Sequence, residues 1–80
     1  MHDKFIKLIP VHAENFEAIG YVESSRHLYI KIAEGKVLCF HGVPRFRYQG
    51  LETAPLKDQY FKNFIKSVYI SKPAELPKQI

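Results

Sequence analysis

From Phe16 onward the chain alternates between apolar and other positions. Ile19 and Tyr21 stand between Ala18, Gly20 and Val22, and Glu23-Ser24-Ser25-Arg26 then supplies residue types that favour turns. His27 to Ala33 repeats the alternation, with Leu28, Ile30 and Ile32 on one side and Tyr29, Lys31 and Ala33 on the other. A period of two marks a half-buried strand, so these segments read as two arms of a hairpin. After Glu34-Gly35-Lys36 a third strand is expected from Val37 to His41. A three-residue loop with Gly35 at positive φ pairs Ala33 with Val37 and Ile32 with Leu38, and it turns Leu38 and Phe40 toward the core. A two-residue loop would bury Val37 and Cys39 and expose the larger side chains, so buried area selects the first register.

Gly42-Val43-Pro44 ends that strand. Pro44 suits the first position of a helix, where its missing N–H would have had no partner, and a short helix is expected over residues 44–53. Pro55 breaks it. From Leu56 the residues Tyr60, Phe61, Phe64, Ile65 and Val68 recur every three or four positions, which predicts an amphipathic helix covering one face of the sheet. At the start, Phe5-Ile6-Lys7-Leu8-Ile9 is a short apolar run stopped by Pro10, an edge strand or an arm on the core. At the end, residues 71–80 carry two prolines without apolar periodicity and read as an extended or mobile tail. The expected fold is α+β: a three-stranded antiparallel meander, with room for an extra N-terminal strand, packed by two C-terminal helices. Residues 1–8 form a lead-in, 9–70 a single domain and 71–80 the tail.

Eighty residues allow one such domain. The single cysteine, Cys39, cannot form an internal disulfide, and Met1-His2-Asp3-Lys4 does not begin a signal peptide, which points to a reducing cytoplasm. Apolar runs such as Val37-Leu38-Cys39-Phe40 fall far short of the roughly 20 residues of a membrane-spanning helix. Twelve Lys and Arg against eight Asp and Glu leave a charge of +4, mildly attractive to nucleic acid or to an acidic partner.

The order Ile9-Pro10-Val11, Ala18-Ile19-Gly20-Tyr21, Leu28-x-Ile30-x-Ile32-x-x-Gly35, Phe40-x-Gly42-Val43-Pro44 and Tyr60-Phe61 resembles the KTSC domain, a module found at the C-terminus of some lysyl-tRNA synthetases and as small stand-alone proteins. The resemblance runs from about Ile9 to Tyr69. It implies a small α+β domain with a suggested affinity for RNA. The chain departs from the pattern in three places. Leu38-Cys39-Phe40 replaces a Tyr-x-Tyr, Val22 replaces an acidic residue, and Ala54-Pro55-Leu56-Lys57-Asp58-Gln59-Tyr60-Phe61-Lys62 replaces Ala-x-Ser-x-Gly-x-Tyr-Phe-Asn.

Phosphate-binding chemistry requires clustered cations, and Arg45 and Arg47 on the first helix with Lys62 and Lys66 on the second supply the candidates. Asp58, four residues before Lys62, is placed to form an ordinary ion pair with it along the helix surface. On the sheet face away from the helices, Tyr29 and Lys31 are candidate base contacts beside Cys39 and His41. That face is open to cover by the N-terminal arm, the tail or a second subunit, while Tyr21, Tyr48, Tyr60 and the phenylalanines are assigned to the core. Cys39 and His41, two apart on a strand, project to the same side, but two ligands do not make a metal site. His2, His12 and His27 are scattered, so no metal is expected. No nucleophile with a base, carboxylate pair or phosphate loop is visible, so the expectation is a non-enzymatic module without cofactor. Its partner is RNA or another nucleic acid on the basic helix surface, or alternatively a protein, including a second copy meeting the open sheet face or a strand edge.

Overall fold

The computed structural model describes residues 5–6, 8–32, 35–74 and 78–79. In chain order the elements are β1 (Phe5–Ile6), β2 (Ile9–Pro10), β3 (Ala18–Val22), β4 (His27–Lys31), β5 (Val37–Phe40), α1 (Arg45–Thr53), α2 (Lys57–Tyr60), β6 (Ser71–Pro73) and β7 (Lys78–Gln79). α2 runs directly into a π-helical segment, Phe61–Lys66. The main sheet has five antiparallel strands in the order β2-β3-β4-β5-β6, and β1 pairs with β7 in a separate parallel ribbon.

The expected meander is β3-β4-β5, and β2 is the extra N-terminal strand. The start of the tail supplies a fifth strand. β6 pairs with β5 through its backbone while all three of its side chains remain exposed, so no apolar alternation announces it. The two helices therefore lie between β5 and β6 in the chain. Ala33 and Glu34 lie outside the described residues, but the flanking ladder shows the loop to be longer than expected. Lys31 pairs with Val37 and Ile30 with Leu38, a shift of two residues from the expected register. Because side chains alternate with a period of two, such a shift leaves every residue on its expected face. Gly35 does take positive φ, at 79°.

Ile19, Leu28, Ile30 and Phe40 from the sheet meet Val43, Leu51, Phe61 and Ile65 from the helical layer, with Phe16 closing one end. Phe61 is the keystone, its ring centroid 5.1 Å from that of Phe16 and 5.5 Å, edge to face, from that of Phe40. α1 starts one residue later than expected. Pro44 is its N-cap, at φ −71° and ψ 156°, and the Pro44 carbonyl accepts the Arg47 N–H at 3.0 Å. α1 is tied to the sheet by Tyr21, whose ring stacks on Tyr48 at 4.9 Å and whose hydroxyl donates to the Val43 carbonyl at 2.6 Å.

The second sheet face is closed too. Ala18, Val22, Val37 and Cys39 point away from the helices yet are buried. Among the described residues, no helix is long and apolar enough to cross a membrane.

Candidate functional site

The π segment sets the surface chemistry. An i→i+5 turn advances fewer degrees per residue than an α-helix, so residues three apart no longer share a face. Phe61 and Ile65 remain buried, whereas Phe64 is 40% exposed, and Val68, in the turn past the segment, is 58% exposed. This corrects their assignment to the covering face of an α-helix. Phe46 on α1 is 63% exposed and also stands outside the core.

Arg47 joins these exposed rings. Its guanidinium carbon lies 4.7 Å from the Phe64 ring centroid and 5.1 Å from that of Phe46, a cation–π contact with each ring. The hydroxyl groups of Tyr60 and Tyr69 raise its pKa further, against the opposing effect of burial. Tyr60 also leans on Phe64, with centroids 4.9 Å apart. Arg47 is thus held by rings and hydroxyls, and among the described residues no carboxylate neutralises it.

Lys62 and Lys66 lie on the other flank of the same segment. They line an open groove of about 920 Å³ with Ile32, Leu38, Phe61 and Asn15. Neither Arg45 nor Arg47 lines it. Arg45 instead pairs with Glu23 at 3.1 Å. The expected basic cluster is therefore divided: Arg45 is compensated, Arg47 sits in the aromatic patch, and Lys62 and Lys66 border the groove.

Asp58 does not serve Lys62. Its carboxylate accepts the backbone N–H of Glu14 at 2.6 Å, that of Asn15 at 2.9 Å and the Asn15 carboxamide at 3.0 Å. Burial opposes ionisation of this carboxyl, but the three donors together outweigh it and hold the pKa below the usual aspartate value. The latch fixes the loop before β3 against the start of α2, and Asn15 and Asp58 form one wall of the groove. The sequence gives no local sign of a bond between residues 43 and 44 positions apart.

Tyr29 and Lys31 lie on the far sheet face, as expected, but not as an open platform. Lys31 pairs with Glu17 at 3.6 Å, and Tyr29, half-buried, stands opposite the buried Cys39. Burial raises the pKa of both Tyr29 and Cys39, and the two groups are also hydrogen-bonded. Beyond the last ladder pair, Leu28 with Phe40, the rings of His27 and His41 approach to 4.5 Å at 70°. His27 has a lowered pKa, from burial first and the neighbouring His41 second. The convergence escapes sequence reading because the expected register sets Tyr29, not His27, opposite His41.

The KTSC domain profile matches residues 13–69, most of the chain. The crystal structure of a KTSC domain protein from Yersinia pestis superposes with a TM-score of 0.82 at 26% identity, covering 88% of this chain and 99% of that one. No curated protein matches the chain.

Proposed function

The chain belongs to the KTSC domain family, and on that basis we propose that it is a non-enzymatic binding module that holds single-stranded nucleic acid across its π segment. The observation that carries this reading is the uncompensated Arg47 in cation–π contact with two exposed phenylalanine rings. Exposed π-faces accept unstacked bases of any sequence, and nearby cations take the phosphates. Phe46 and Phe64, each in contact with Arg47 and otherwise exposed, supply stacking surface on one flank, where Arg47 takes one phosphate, and Lys62 and Lys66 supply phosphate contacts on the other. The sheet-face contacts Tyr29 and Lys31 play no part, nor does Arg45, which is occupied by Glu23.

The test is fluorescence anisotropy of a short labelled single-stranded RNA at about 50 and about 200 mM salt. Three phosphate contacts, through Arg47, Lys62 and Lys66, give a log–log slope near −2, so affinity falls about 20-fold over that fourfold rise in salt. In a Lys62→Glu, Lys66→Glu variant the drop shrinks to about threefold. Phe64→Ala weakens binding about tenfold at either salt, the worth of one stacked base. Arg45→Glu changes little. Absence of binding at 50 mM, or binding indifferent to the lysine pair, refutes the reading. Salt-insensitive self-association lost on Phe46→Ala, Phe64→Ala would assign the patch to a second copy of the chain instead.

A further inference from the structure

The far face of the sheet gathers a second set of chemistry-bearing groups, separate from the helical surface. β4 begins at His27 and β5 ends at Phe40, so the pairing of Leu28 with Phe40 sets His27 and His41 opposite each other just past the ladder. Cys39 sits two residues before His41 on the same side, opposite Tyr29. One ligand atom from each of His27, Cys39 and His41 lies within 4.8 Å of the others. In a tetrahedral zinc site, bond lengths of about 2.0–2.3 Å place neighbouring ligand atoms roughly 3.4–3.6 Å apart, so side-chain adjustments of about 1 Å would complete the arrangement.

We propose that His27, Cys39 and His41 form a zinc-class metal site with two imidazole nitrogens, one thiolate and an open fourth position for water. The donor set selects the ion. It contains no carboxylate, which disfavours Mg²⁺ and Ca²⁺, whereas imidazole and thiolate suit Zn²⁺. The thiol proton leaves to solvent as the metal–sulfur bond forms. The Tyr29 hydroxyl, hydrogen-bonded to Cys39, is an outer-shell donor that orients the sulfur. Two strands supply the ligands, so the ion would clamp the open end of the β4-β5 pair.

Chelator-treated, reduced protein is titrated separately with Zn²⁺ and Mg²⁺ and followed by calorimetry and thermal melting. The expected result is uptake of one Zn²⁺ per chain and a melting temperature raised by about 10 °C or more at a hundredfold excess over Kd, with no effect of Mg²⁺. Co²⁺ in place of Zn²⁺ develops thiolate-to-metal charge-transfer absorption, a sign of sulfur ligation that folding alone does not produce. His41→Ala melts like the wild type without metal but loses the zinc-dependent rise, and Tyr29→Phe weakens zinc binding about tenfold. His12→Ala behaves as wild type. Failure of the wild type to take up Zn²⁺ stoichiometrically, or undiminished uptake by a Cys39→Ala, His41→Ala variant, overturns the assignment.

Discussion

Replacing Asp58 with alanine removes three hydrogen bonds that join segments far apart in the chain. A net hydrogen bond contributes about 1 kcal/mol, and those to a charged group contribute more. Glu14 and Asn15 are exposed, so their freed N–H groups regain water, which holds the total near the lower end. Alanine regains no helix propensity to offset this, because Asp58 stands in the first turn of α2, where a carboxylate is favoured. The expected net loss is about 2 kcal/mol, a large share of the roughly 4–12 kcal/mol that a domain of this length possesses. Urea unfolding followed by circular dichroism should show the midpoint falling by about 1–2 M, and the melting temperature by about 10 °C. Native-state hydrogen exchange gives the sharper test, because the Glu14 and Asn15 amides should lose their protection in the variant. A stability change below about 0.5 kcal/mol with those amides exchanging as in the wild type would refute the latch.

The same carboxylate makes stability depend on pH: its folded pKa is depressed, so its contribution is fully present above the unfolded aspartate value near 3.9 and is lost as pH falls through the lower folded one. The stability gap between wild type and Asp58→Asn, measured by urea unfolding, should therefore be wide at pH 7 and narrow toward pH 3. Tyr21→Phe keeps the ring on Tyr48 but leaves the Val43 carbonyl without its hydroxyl donor, and should cost about 1 kcal/mol in the same assay. In Gly50→Ala, the new methyl group would run into the Tyr60 ring, so the variant should melt below the wild type despite a helix-propensity gain of about 1 kcal/mol; a higher melting temperature would show that Tyr60 yields freely. Ile65→Ala, at a fully buried position, should cost about 2–5 kcal/mol and leave a substantial unfolded fraction visible by circular dichroism.

The parts of the fold legible in the sequence are those whose pattern is local. Leu28, Ile30, Leu38 and Phe40 could be placed on one face without the correct loop, since a register shift of two preserves faces. That shift nevertheless hid the approach of His27 to His41, which depends on the exact partner. β6 could not be read because its pairing uses main-chain groups and its side chains face solvent. The π segment could not be read either, because the spacing of Phe61, Phe64 and Ile65 is as good for an α-helix. Its wider turn is what brings Phe64 out beside Arg47, so the feature that escaped the sequence also creates the aromatic patch. Lys62, Lys66 and Arg47 were identifiable as cations, but their separation onto two flanks required the packed helices.

The main sheet's two outer strands, β2 and β6, are very short, and each contains a proline, Pro10 and Pro73. Neither border can therefore present an unbroken row of amide donors to an incoming chain. An extended peptide seeking to lengthen the sheet would find weak templates on both sides, and so would the edge of a neighbouring copy. At high concentration this should restrain ribbon-like polymerisation, leaving reversible assembly to contacts between side chains.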